Sequence, residues 1–238
     1  NYLKNTDYKA FFRQISKVIE EFHLSNTAEN GYSFYGCNSS AGLSSYNREH
    51  FLALRENFNS LQTKDSYYFA KFYILIVYAF NNQIRFNSKG FYNLPVGKRD
   101  FNKRMSEKLE TFMSSIANIE FTSKDFREFK TEILTQNDFV YADPPYLITC
   151  ASYNELDGWN ENNEIDLLKM LDKLNERKLR FALSNVLSAK GKVNNILDSW
   201  LNKNPEYKCY HLNFDYKNSN YHKTERINKA DEVLITNY

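Results

Sequence analysis

Residues 139–146 read Phe139-Val140-Tyr141-Ala142-Asp143-Pro144-Pro145-Tyr146. Four apolar residues predict a short buried strand. An acidic side chain, two prolines and an aromatic ring follow where the strand ends. In open α/β sheets, ligands lie just outside the carboxyl ends of strands, so a reactive loop belongs there. The residue types suit a flat base that bears an exocyclic amine. The lone pair of such an amine is delocalised into the ring. Acceptors aimed at its two hydrogens draw the nitrogen toward a tetrahedral geometry, and they act where charge develops. An ionised Asp143 only accepts. The Pro144 carbonyl adds a second acceptor, and neither proline brings a competing N–H. Tyr146 offers a ring face for stacking, which a base in a duplex reaches only by flipping out. The plainer reading of Asp-Pro-Pro is a turn that stops a strand.

Working outward, strands and helices alternate downstream. A helix over 164–177 presents Leu167, Leu168, Leu171 and Leu174 on one face, and Arg180–Ser184 reads as the next strand. A helix over 192–201 follows, with Val193, Ile196, Leu197, Trp200 and Leu201 at core spacing, and strands near 207–214 and 232–236 close the sheet. The alternation predicts a parallel α/β sheet. Ile119-Glu120-Phe121 reads as a further strand.

Upstream, residues 7–22 place Phe11, Phe12, Ile15, Val18, Ile19 and Phe22 at helical spacing, with Thr6 as N-cap. Residues 25–48, rich in Ser, Asn and Gly, read as a long loop. Residues 66–80 are apolar almost all round, the mark of a buried helix. The resulting layout is a helix of the catalytic domain over 1–22, a helical recognition region over 23–115 and a catalytic domain over 116–238.

Composition excludes several classes. At 238 residues, with 42% hydrophobic content and a net charge of +2, the chain fits one α/β domain with an insertion. No apolar run reaches bilayer-spanning length, and no signal peptide is visible. Cys37, Cys150 and Cys209 suggest neither a disulfide framework nor a zinc site, which makes a reducing cytoplasm the default. His23, His50, His211 and His222 share no metal-ligand spacing. Near-neutral charge gives no nucleic-acid signal by itself. Locally, Lys98-Arg99 and Lys103-Arg104 cluster, either as a solvated face or as phosphate contacts.

Four segments carry a family resemblance. Asp143-Pro144-Pro145-Tyr146 resembles the catalytic motif of amino-group DNA methyltransferases. FNNQIRFN at 80–87 and GFYNLPVGKRDFN at 90–102 resemble a block in the target-recognition region of the Dam-like N6-adenine methyltransferases of restriction–modification systems. FALSNV at 181–186 and SNYHKTERINKADEVLITN at 219–237 are similar to later strands of that family. The resemblance implies a Rossmann-like S-adenosylmethionine-dependent methyltransferase sheet with a helical target-recognition insertion. It implies transfer of a methyl group from S-adenosylmethionine to the N6 amine of a flipped adenine, with no covalent intermediate and no metal. Asp143 and the Pro144 carbonyl would accept from the amine, beside Pro145, and Tyr146 would stack on the base. Asp125, Phe126 and Asp143 would contact the cofactor; for Asp125 the alternative is a helix cap. Arg85, Asn87, Lys89, Lys98 and Arg99 would face double-stranded DNA. Tyr221 and Arg226, with Asn218, would form either a wall of the base pocket or a plain hairpin tip. A cognate restriction endonuclease would accompany such an enzyme.

The family also binds its cofactor with a glycine-rich loop of the form FxGxG after its first strand. No two of the seven glycines here lie two apart. The expectation is therefore that the first strands and this loop come from a segment not in this sequence, in cis or from a partner subunit, leaving 139–142 as an edge that something covers. The rival functions are a DNA-binding module, one subunit of a split methyltransferase, or amino methylation of cytosine or of protein glutamine.

Overall fold

The computed structural model describes residues 2–149, 158–212 and 230–238. The chain divides into two compact units, Asn1–Thr122 and Ser123–Tyr238.

The first unit is helical: α1 (Tyr8–Glu21), α2 (Thr27–Phe34), α3 (Ser44–Ser60), α4 (Ser66–Tyr78) and α5 (Lys103–Ser115). Asp7, not Thr6, caps α1, its carboxylate accepting from the Ala10 N–H at 2.9 Å. The Thr6 hydroxyl instead donates to the Tyr2 carbonyl. Phe11, Ile15 and Val18 of α1 are fully buried with Phe51 and Leu54 of α3 and Ile74, Leu75 and Tyr78 of α4. The core of α1 is thus the helical core, whereas the sequence assigned 1–22 to the catalytic domain. Truncating a ring such as Phe51 there costs about 3–5 kcal/mol. α4 also buries Lys71, whose ammonium donates to Asn57 Oδ1 at 2.6 Å and lies 4.3 Å from the centre of the Tyr67 ring.

The stretch 25–48 is not one long loop. It holds α2, broken at Gly31, and the start of α3. The reason is tertiary. Buried Asp100 accepts from the N–H and hydroxyl of Thr27 at 2.7 and 2.9 Å. Asn47 and Tyr78 satisfy the backbone of Ser25. These partners are far off in sequence, so local composition hides them. Likewise 119–121 is not a strand: Ile119 N–H closes a turn on the Ile116 carbonyl, and Ile119 and Phe121 are exposed.

The second unit carries the sheet: β1 (Phe139–Ala142), α6 (Glu161–Glu176), β2 (Arg180–Ala189), β3 (Lys192–Val193), α7 (Asn195–Lys203), β4 (Lys208–Leu212) and β5 (Asp231–Thr236). The strand order is β1-β2-β5-β4, with β3 beside β2. The sheet is mixed rather than parallel: β1–β2 is parallel, and the β2–β5, β4–β5 and β2–β3 pairs are antiparallel. α7 starts later than predicted because Lys190 and Gly191, both at positive φ (50° and 76°), turn β2 directly into β3, as two-residue hairpin loops do. The leucines of α6 pack with Leu197 and Trp200 of α7 on Phe181, Leu183, Val233 and Ile235. Val140 and Ala142 join that face. The other two β1 side chains do not: Phe139 is 49% and Tyr141 57% exposed. Among the described residues β1 pairs with β2 alone, which leaves it at the edge of the sheet as the sequence led one to expect, but with one face open rather than both buried.

In the helical unit, the chain after α4 returns as an irregular hairpin, with bridges Phe86↔Tyr92 and Ala79↔Val96. Gly97 sits against the backbone of Ala79, where an added Cβ would lie 2.4 Å from the Ala79 oxygen. Backbone cannot yield as a flexible side chain does. Gly97→Ala is expected to lower stability by at least about 1–3 kcal/mol, measured as a shift in urea midpoint; an unchanged midpoint would contradict this packing.

Candidate active site

The register that pairs Ala142 with Leu183 ends β1 one residue before Asp143. Asp143 is exposed, and Pro144, Pro145 and Tyr146 are half-buried. The Tyr146 hydroxyl donates to Asp143 Oδ1 at 3.1 Å. Among the described residues Asp143 has no other hydrogen-bond partner, so Oδ2 stays available. Partial burial, then the charge and hydrogen bond of Asp143, push the Tyr146 hydroxyl up to about 12, which keeps it a donor at neutral pH. Beside the loop, the Tyr141 hydroxyl and Ser184 Oγ share a hydrogen bond of 2.7 Å across β1 and β2.

Asp125 caps a single 3-10 turn, Phe126–Glu128, through a reciprocal capping box with Glu128. Its carboxylate accepts from the Arg127 N–H at 2.9 Å and from the Arg127 guanidinium at 3.2 Å. Those bonds hold Asp125 below the usual carboxylate range, the backbone bond most of all. Arg127 then reaches α6, at 2.9 Å to Asp166 and 2.8 Å to Asn163. Phe126 is half-buried, its ring 5.7 Å from that of Trp159. The turn is thus clamped to the first turns of α6. The capping alternative for Asp125 describes the geometry, although the turn does not continue as a helix.

Sequence reasoning missed the buried group next to this turn. Glu164 of α6 is fully buried. Its Oε1 accepts from the amides of Asn185 (2.9 Å) and Asn194 (3.0 Å), and its Oε2 from the Trp159 indole (2.7 Å). The legible signal was Asn185, a polar residue on the face of β2 that carries Phe181, Leu183 and Leu187.

The predicted DNA-facing residues lie in the helical unit. Arg85 Nε and Nη2 donate to the Asn93 side-chain and backbone oxygens at 2.8 and 3.0 Å. Asn87 Oδ1 accepts from the N–H groups of Lys89 and Phe91, both at 3.0 Å, so Asn87 shapes the turn at the hairpin tip. Lys89 is exposed at that tip, and Phe80, Ile84, Phe86 and Phe91 are exposed apolar neighbours in sequence. Lys98 and Arg99 are exposed, with the Lys98 carbonyl fixed by the Leu43 N–H at 3.1 Å. Tyr221 and Arg226, with Asn218, lie outside the described residues. Among the described residues no cluster of His, Cys, Asp and Glu is arranged to hold a metal ion, and no helix is long and apolar enough to cross a membrane.

A mixed α/β unit, with an Asp-Pro-Pro-Tyr loop at the carboxyl end of an edge strand, is joined in one chain to a helical unit with a basic, aromatic hairpin. Residues 6–213 match the D12 class N6 adenine-specific DNA methyltransferases, and the chain belongs to that family. It is 42% identical to type II methyltransferase M.FokI of Planomicrobium okeanokoites over 99% of this chain and 33% of the relative. It is 38% identical to modification methylase StsI of Streptococcus sanguinis over 83% of this chain and 30% of the relative. With modification methylase LlaI of Lactococcus lactis subsp. lactis the identity is 31%, over 80% of this chain and 29% of the relative. The chain thus spans about a third of the length of these curated relatives.

The Asp125 cap makes a pH-dependent contribution with a definite sign. Its folded pKa is depressed below 3.8, so the charge stabilises fully above that value and is lost as pH falls through the folded value. Asp125→Asn keeps the cap and removes the charge. Its stability deficit relative to wild type, measured by urea denaturation, is expected at neutral pH and to vanish in strong acid; a pH-independent deficit would reject the assignment.

Proposed function

We propose that this chain carries catalytic and target-recognition parts of a site-specific adenine DNA methyltransferase acting on a flipped base in double-stranded DNA. The observation that carries the reading is the Asp143–Tyr146 hydrogen bond at the end of β1. It fixes one carboxylate oxygen and leaves the other to accept from an exocyclic amine, with the Pro144 carbonyl as second acceptor. The Tyr146 ring is the stacking surface, and its hydroxyl sets the carboxylate. S-adenosylmethionine, when bound, supplies an electrophilic methyl group on a sulfonium sulfur. With the cofactor bound, Asp143 and the Pro144 carbonyl would accept from the two amine hydrogens and raise density on the nitrogen. The methyl–sulfur bond would break as the nitrogen–methyl bond forms, the sulfur would leave as a neutral thioether, and the surplus amine proton would pass to Asp143 and on to solvent.

The fit to that cofactor is partial. Phe126 offers a half-buried ring and Asp143 an available oxygen, whereas Asp125 is engaged by Arg127. The exposed β1 edge favours a second reading of the same site, in which a strand from another segment or subunit adds to β1 and completes the cofactor site. Strand edges recruit partners in this way. Microcalorimetric titration separates the two: tight binding of S-adenosylmethionine by this chain alone would leave the second reading without support.

Recognition is assigned to the hairpin and the basic stretch beside it. Lys103 and Arg104 occupy the first turn of α5, which has no acidic residue. Cations there oppose the helix dipole at a cost of a few tenths of a kcal/mol each, roughly, which fits a role outside folding, such as phosphate contact. As one subunit of a restriction–modification system, the enzyme would protect sites from a cognate endonuclease.

Asp143→Ala is expected to abolish DNA methylation while leaving DNA affinity within about threefold; normal turnover would end the proposal. Arg85→Ala should lose discrimination between sites by about 1–3 kcal/mol, whereas Lys98→Ala should weaken binding to all sequences and lower the salt dependence by about one phosphate contact. Competition binding with matched duplexes measures both, and equal effects on every duplex would limit Arg85 to phosphate contact.

A further inference from the structure

Glu164 is a buried carboxylate satisfied only by neutral N–H donors. The polarity of this network is forced. Asn185 Oδ1 accepts from the Val186 N–H at 2.8 Å, and Asn194 Oδ1 caps α7 by accepting from the Leu197 N–H at 3.1 Å. Each amide therefore has only its NH2 left to offer, and an indole nitrogen only donates. The three donors come from separate segments: Trp159 before α6, Asn185 on β2, and Asn194 ahead of α7. Asn185 lies two residues beyond Leu183, the last β2 residue paired with β1. Trp159 follows Gly158 and packs on Phe126. A leucine would strand all three donors, so the carboxylate is the group that holds these three segments in one arrangement.

We propose that Glu164 is a positioning residue: it fixes the Trp159 indole, and through it the Phe126 ring, as an aromatic wall at the carboxyl end of β1. The inference rests on the methyltransferase reading. Glutamine at this position is the informative change. Its oxygen can serve both asparagines, but its NH2 then faces the Trp159 N–H; turned over, it faces two amide NH2 groups. Either way a donor meets a donor and the wall shifts. Trp159→Phe removes the indole N–H and lets glutamine fit.

The test compares Glu164→Gln, Trp159→Phe and the double variant of the full chain. Methylation is followed with tritiated S-adenosylmethionine and unmethylated genomic DNA. The only two tryptophans, Trp159 and Trp200, are labelled as 5-fluorotryptophan and watched by fluorine NMR. Glu164→Gln is expected to lower kcat about tenfold or more, as small misplacements near a reacting centre do. KM for DNA should stay within about threefold. The Trp159 resonance should move and that of Trp200 should hold. The double variant should return to the level of Trp159→Phe, a non-additivity that marks direct coupling. Wild-type kcat in Glu164→Gln overturns the proposal. So does loss of the Trp200 resonance position and melting temperature along with activity, which would make the role one of folding only. If wild type fails to methylate, the methyltransferase reading of this chain fails separately. The Trp159 resonance then decides: a shift on adding S-adenosylmethionine that Glu164→Gln abolishes supports the positioning role, and no shift in wild type overturns it.

Discussion

The parallel pairing of β1 with β2 is the constraint on which the site depends. β1 is four residues long and buries one face only, Val140 and Ala142 against Phe181 and Leu183. Because side chains alternate along a strand, a slip of one residue would bring Phe139 and Tyr141 onto the core face and carry Asp143 to the opposite side of the sheet. Little apolar area holds so short a strand, so its register leans on neighbours. The Tyr141–Ser184 hydrogen bond ties the open face. Asp138, just upstream, accepts from the Thr135 N–H and hydroxyl at 2.7 and 2.8 Å and fixes the chain as it enters β1.

Buried polar groups act as ties between segments in both units. Asp100 draws Thr27 to the chain just ahead of α5, and Glu164 collects three segments at one end of the sheet. In each case the carboxylate receives complete hydrogen-bond partners, which is the condition for tolerating it inside. Burial pushes the Asp100 carboxyl up despite its bonds to Thr27. A raised folded pKa means that its contribution is greatest in acid and falls as pH rises through that value. The opposite sign at Asp125 follows from its exposure and its Arg127 partner.

Much of this was legible in the sequence, and the exceptions share a cause. The leucine face of α6, the buried α4 and the strand before Asp143 follow from periodicity, because the groups that satisfy them are their own neighbours. The Asp-Pro-Pro-Tyr loop was legible because its chemistry is local: the Tyr146 hydroxyl reaches a carboxylate three residues away. α2 was hidden because Asp100, Asn47 and Tyr78 hold it from outside. Asn87 carries an amide suited to bases, yet its oxygen closes its own turn. The run 119–121 has strand composition, yet Ile119 closes a turn on Ile116 instead, and composition alone does not set pairing. The Lys-Gly hairpin loop at 190–191 was, like the Asp7 cap, a short-range signal, and it moved the start of α7.

The clasp of Asn93 on Arg85 has a thermodynamic consequence. A free arginine side chain loses roughly 1.5–2 kcal/mol of rotamer entropy when it is immobilised. Here two nitrogens of the guanidinium are already bonded to Asn93, so that loss falls on folding rather than on encounter. In the base-reading role proposed for Arg85, a fork aimed in advance would gain in stringency and give up tolerance, because it could not swing to meet a substitute base edge. Changes in the preferred duplex would therefore arise first at Asn93, the holder, rather than at the arginine it holds.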